Sequence, residues 1–173
     1  MIDESIKTHL RSKPSQLDFE ALISFMESTG IEYRDRRLRG PLGLTTYYCI
    51  YLDMEKLMTV HEKLMYFVIL HETAHYKRIV KMGGKDGVIK VLSNEDFEEF
   101  FNHVIGEEIF SDRYACHVYH KLNKFNFPRE ATQQLHLEER QRQYKGNARQ
   151  LFGVVQNNEE NYKRLLESFV YEV

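Results

Sequence analysis

Apolar residues recur at helical spacing over two long stretches of the chain. Leu64, Val68, His71, His75, Ile79 and Met82 step by three or four positions, so they share one face of a helix predicted over 64–82. Gly83-Gly84 ends it, Lys85-Asp86-Gly87 continues the turn, and 81–94 reads as an enlarged loop. Ser93 or Asn94 then caps a second helix, with Glu95 and Asp96 at its positive end. Phe97, Phe101, Val104, Glu108, Asp112, Ala115 and Tyr119 fall on one stripe of it, and Pro128 closes the segment.

Upstream, Ser15 can cap a helix running to about Ser28, with Leu17, Leu22, Phe25 and Met26 as core candidates and Gly30 as its stop. Residues 31–37 read as a short strand. Residues 44–52, dense in β-branched and aromatic side chains, read as the second strand of a hairpin turned at 39–43. Two polar-faced helices, roughly 129–144 and 159–171, finish the chain. The order is N-terminal helix, β-hairpin, two long helices and C-terminal helices, which is α+β. At 173 residues the simplest organisation is a single domain over 1–173, with 129–173 as a helical appendage.

Composition narrows the picture only slightly. A net charge of -2 gives no global attraction to nucleic acid or anionic membrane. The N-terminal stretch is charged and has no apolar core, so no secretory signal is expected. The longest apolar-rich run, 64–70, is far short of a membrane span. The expected location is cytoplasmic. Cys49 and Cys116 are too few for a disulfide framework and neither belongs to a CxxC pair; whether they pair with each other stays open, with free thiols expected.

The chemistry lies on the first long helix. His71-Glu72-Thr73-Ala74-His75 is an HExxH motif. Residues four apart on a helix rise about 6 Å and lie nearly above one another, so two imidazoles can converge on one tetrahedral zinc. Glu72 is set round the helix, where it can act as general base on a water without occupying a coordination position. Random placement of 8 His and 19 Glu over 173 residues yields the motif roughly 4% of the time, so its context decides.

A catalytic zinc needs a third protein ligand and one open position. Glu108 lies on the apolar stripe of the next long helix and points inward, whereas Glu107 is turned about 100° away. An inward carboxylate is costly unless paired or metal-bound. Asp112, one turn on, can accept the free N–H of a liganding histidine. The competing view makes Glu108 a solvated residue of an acidic helix.

HExxH followed on a later helix by Glu108-x-x-Ser111-Asp112-x-x-Ala115 resembles the gluzincin metallopeptidases, zincin-like enzymes that bind zinc through two histidines and a glutamate. The layout over about 17–122 is similar to that of the ImmA/IrrE-type peptidases and the minimal gluzincins. The resemblance implies zinc on His71, His75 and Glu108, with Glu72 as base. It also implies an extended peptide or protein substrate, lying against the strand at 44–52 by β-augmentation, and a regulatory, repressor-like target. It allows the tail 168–173 to enter the cleft as a self-inhibitory strand; the alternative is that the tail docks the last helix. Two features depart from the family pattern: Ser111 stands where Ala is more usual, and the gap from His75 to Glu108 is long.

Further candidates are fewer. His117, His120, Tyr114 and Tyr119 are possible oxyanion donors or alternative ligands. Arg34 to Arg39 form the one basic cluster, which can steer an acidic peptide or be a solvated turn. It is too short to make nucleic acid an expected partner. Tyr47, Tyr48 and Tyr51 offer either a stacking surface or strand packing. The competing functions are a catalytically silent zincin-like protein-binding module and a zinc hydrolase of a non-peptide amide. The oligomeric state is left open.

Overall fold

Two helices open the chain where the sequence pattern predicts one. α1 (Glu4–Ser12) buries only Ile6 and Leu10, a single i,i+4 pair among charged neighbours, which is too little apolar periodicity to be read in advance. α2 (Phe19–Ser28) begins later than expected because Asp18, not Ser15, caps it: an Asp18 carboxylate oxygen accepts the Ala21 N–H at 2.8 Å. Ser15 instead accepts the Leu17 N–H in the preceding turn. The computed structural model describes residues 1–93, 95–124, 149, 152 and 159–170.

Three short strands follow, β1 (Tyr33–Asp35), β2 (Gly43–Thr45) and β3 (Ile50–Leu52), in the sheet order β1-β3-β2. The predicted hairpin is displaced. Residues 44–52 are not one strand; a turn at 46–49 folds them back so that β2 pairs antiparallel with β3, while β1 joins the other side of β3 in parallel. The cause is the buried Thr46 hydroxyl, which accepts the Cys49 N–H at 3.1 Å and lies 2.8 Å from the Cys49 carbonyl, fixing a turn between two otherwise strand-forming segments.

The register fixes which backbone groups face outward. Asp53 N–H donates to the Leu42 carbonyl and Thr46 N–H to the Cys49 carbonyl, so alternate residues of the strand bond inward to β3. Gly43 and Thr45 lie between those positions and turn their N–H and C=O to the outer edge. Among the described residues no strand lies beside that edge. The opposite edge, on β1, is covered by residues 1–3: Tyr33 N–H donates to Met1 and Asp3 N–H to Tyr33.

After the one-turn α3 (Met54–Leu57), capped by buried Asp53, come α4 (Glu62–Lys81), α5 (Lys85–Leu92), α6 (Phe97–Asn123) and α7 (Glu159–Phe169). α5 occupies the segment expected as a loop. Gly87, which reads as a turn residue, is helical, and a Cβ there would sit 2.1 Å from the Met82 carbonyl oxygen; the missing side chain lets α5 fold back against the end of α4. Asp96, rather than Ser93 or Asn94, caps α6, accepting from Glu98 and Glu99. The helix expected over 129–144 lies outside the described residues, whereas α7 agrees with the helix expected at 159–171 over the part described.

α4 is the hub of the fold. It packs against α6, β2 and β3, and buries Met65, Tyr66, Phe67, Ile69, Leu70, His71, Thr73 and Ala74. This is a wider surface than the stripe of Leu64, Val68, His71, His75, Ile79 and Met82, whose other apolar members are only half-buried, because neighbours cover the helix from more than one side. A smaller apolar cluster joins Val88, Leu92, Phe100 and Leu166, so α5, α6 and α7 meet there. Among the described residues no helix is long and apolar enough to cross a membrane.

A buried hydrogen bond of 2.9 Å between the Tyr33 and Thr73 hydroxyls ties the sheet to α4 beside the motif. Tyr33→Phe removes it without changing shape, and urea unfolding should record a loss of about 1 kcal/mol.

Candidate metal centre

The two histidines come together because α4 is continuous through the motif, and Glu108 meets them because α6 packs along α4. His71 Nε2 and His75 Nε2 are 2.9 Å apart, and the Glu108 carboxylate oxygens lie 3.3 and 3.2 Å from them. Among the described residues this is the group of side chains whose donor atoms converge closely enough to hold a metal ion. Four ligands about 2.0–2.1 Å from a tetrahedral zinc are about 3.3 Å from one another; the two histidine–carboxylate separations match that spacing, and the 2.9 Å between the nitrogens is shorter than it.

The outer nitrogens are tied down by two adjacent residues of α6. His71 Nδ1 lies 2.9 Å from Asp112 Oδ1, and His75 Nδ1 lies 3.2 Å from the hydroxyl of Ser111, which is fully buried. A carboxylate only accepts, so His71 Nδ1 carries the proton and a neutral His71 presents a bare Nε2 lone pair. Ser111 can accept from His75 Nδ1 in the same way, leaving the second Nε2 bare. Three electron-rich atoms then face one another in a site sparsely reached by water. Only a cation or a proton between them relieves the repulsion.

The acid–base balance of the metal-free protein follows. Burial by itself would lower the His71 pKa, but hydrogen bonds to Asp112 and Glu108, with the charges of Glu72 and Glu108, outweigh it and raise the imidazole to about 10. Burial would push the Glu108 carboxyl up; its hydrogen bonds to His71 and His75 hold it well below the usual carboxylate range instead. One proton on His71 stands in for the ion.

Neighbouring residues make the alignment. Glu107, facing away from Glu108 as its helical position predicts, accepts from Arg78 Nε at 3.0 and 3.1 Å and from Nη2 at 2.5 Å, a bidentate clamp between α6 and α4. Glu72 lies on the other side of α4, against β2. The Thr45 hydroxyl is 2.6 Å from Glu72 Oε2, and a Cβ built on Gly43 would be 2.7 Å from Glu72 Cγ.

Sequence reasoning passed over Gly43 and Thr45, which carry no motif. It registered Ser111 only as a departure from a family pattern; its adjacency to Asp112 on the inward stripe was the available signal. The remaining candidates lie apart from the convergent group. His117 and His120 are exposed on α6. Tyr119 is fully buried against Tyr66, and Tyr114 stacks with Phe110 beneath the Lys77 ammonium. In the basic cluster Arg34 meets Glu32, Arg36 lies near Asp3 and Arg37 meets Glu55. Tyr51 is buried, Tyr47 packs in the smaller apolar cluster, and Tyr48 is exposed. Cys49 and Cys116 are free thiols. Val170 pairs with Leu38, so the described part of the tail docks on the segment between β1 and β2; residues 171–173 lie outside the described residues.

No protein-family model, no curated protein and no solved structure matches the chain. The site's own geometry therefore carries the functional argument.

Two outcomes test it. Asp112→Asn and Ser111→Ala should each weaken zinc binding about 10- to 100-fold in competition titrations against a chelator, because each loosens one liganding imidazole. The pH dependence follows from His71. Its pKa in the folded, metal-free protein is raised above 6.5, so the stability it contributes is full below pH 6.5 and is lost as pH rises through about 10. A cation bound among the three side chains would replace that proton. Urea midpoints measured with chelator should fall between pH 6.5 and 9, while those of the zinc-loaded protein should not follow them down.

Proposed function

We propose that the protein is a zinc-dependent peptidase that holds its metal on His71, His75 and Glu108 and uses Glu72 as general base. One observation carries the reading: two histidine Nε2 atoms and a carboxylate converge closely enough to hold one metal ion, with a second glutamate, Glu72, one position along the helix from His71. When bound, zinc supplies Lewis acidity for a substrate carbonyl and lowers the pKa of water toward about 7.

The chain's own residues supply the rest of the chemistry. Asp112 and Ser111 hold the ligand imidazoles in one orientation. Glu108 contributes a negative charge, so the set of two neutral imidazoles and one carboxylate leaves a bound divalent ion with net charge +1, suited to polarising a carbonyl. Glu72 takes no part in the ligand set; it is the group available to accept a proton from the attacking water and return it to the leaving amine. The outer edge of β2 presents the N–H and C=O of Gly43 and Thr45, and an extended peptide paired there runs past Glu72. The central strand β3 has neighbours on both sides, so within the segment 44–52 only the part in β2 offers an edge. A regulatory, repressor-like protein, the target implied by the gluzincin resemblance, is the substrate class to try first.

Metal analysis and peptide-library cleavage of three proteins test the proposal together. The wild type should carry zinc and cleave; Glu108→Ala should lose zinc; Glu72→Gln should keep zinc while kcat falls about 100- to 10,000-fold. Full zinc retention by Glu108→Ala overturns the ligand set. Wild-type rates in Glu72→Gln overturn the base. Zinc-loaded wild type that cleaves only non-peptide amides, or nothing, replaces the peptidase reading with that of another hydrolase or of a binding module.

A further inference from the structure

Resting on the reading of Glu72 as the base, we infer that Thr45 is its positioning residue, with Gly43 opening the space the carboxylate occupies. Glu72 follows His71 on α4, and the hydrogen bond that holds its carboxylate comes from β2. The Thr45 hydroxyl lies 2.6 Å from Glu72 Oε2 and 2.9 Å from the Glu72 carbonyl oxygen. A hydroxyl has one proton to donate, and the shorter, charge-assisted contact to the carboxylate takes it. One oxygen of the base is thereby fixed and the other is left for a proton.

Gly43 completes the arrangement. A Cβ there would sit 2.7 Å from Glu72 Cγ, closer than real Cβ atoms come, and a tight 3.2 Å from Cδ, so any other residue displaces the base. Gly43 and Thr45 are two apart on β2 and share its α4-facing side, while Leu44 between them packs with both smaller apolar clusters. The backbone N–H and C=O of the same two residues face the outer edge. The strand that would pair with substrate is therefore the strand that sets the base, and a shift of β2 moves both together.

The test combines catalysis with a measurement that needs neither zinc nor activity. Thr45→Val keeps the β-branched shape and removes the hydroxyl. Its kcat should fall about tenfold or more with KM little changed and zinc affinity unaltered, and Thr45→Ser should restore most of the rate. Gly43→Ala should lower kcat in the same way. In the metal-free protein, a double-mutant cycle of Thr45→Val and Glu72→Met on unfolding should show coupling of about tenfold in the unfolding constant. Additive single effects in the cycle, or a Thr45→Val enzyme with wild-type kcat, overturn the inference. So does a kcat loss in Thr45→Val that is matched by loss of zinc. A wild type that hydrolyses no peptide overturns the base reading instead, and the cycle still measures the Thr45–Glu72 contact separately.

Discussion

The helical turn of α4 brings two imidazole nitrogens together and the packing of α6 along α4 sets a carboxylate against them, all within about van der Waals contact, and the surrounding structure is arranged to make that tolerable. A buried ionised carboxylate without a partner costs several kcal/mol, and two lone pairs facing each other at 2.9 Å add repulsion. Separating the helices would carry Glu108 away from the two imidazoles, which stay together on α4. The Arg78–Glu107 clamp opposes that separation one residue away from Glu108, and the buried apolar surface of α4 opposes it along the rest of the contact. The geometry is held by groups outside the convergent set, so the three side chains meet inside packed structure and not as a surface cluster of acids and histidines.

The same constraint explains which parts of the molecule could be read from the sequence. His71, His75, Glu108 and Asp112 are legible because each sits on a helix of 20 residues or more, where a period of 3.6 fixes the face a side chain takes and errors of a residue or two at the ends do not matter. The sheet is not legible in that way. Its strands are three residues long, too short for an alternation of period two to declare itself, and a single buried hydroxyl, Thr46, decides that 44–52 folds into a turn and two strands. α1 and α5 escape for related reasons: one is anchored by two apolar residues, the other contains a glycine whose value lies in its close approach to Met82.

Ser111 shows where a resemblance and a physical reading part company. An alanine at that position would leave His75 Nδ1 facing the α6 surface with no partner there, whereas the serine hydroxyl meets it at 3.2 Å. The two histidines of the motif are thus held by neighbouring residues of one helix turn, Ser111 and Asp112, with unequal chemistry: a carboxylate that raises the basicity of His71 and a neutral hydroxyl that only orients His75. The Asp112 carboxylate makes His71 the place where a proton rests in the metal-free protein.

Thr45 and Gly43 belong to a different level of information. Nothing local marks them, because their importance arises only once β2 lies on α4, and that contact joins residues separated by 27 positions in sequence. The convergence of His71, His75 and Glu108 is a property of the helix pair, and the position of Glu72 is a property of the sheet–helix contact. The two are joined by one peptide bond, between His71 and Glu72. α4 must therefore meet a strand on one side and a glutamate-bearing helix on the other. That requirement, more than the ligands, accounts for the burial of α4 on more than its histidine-bearing face.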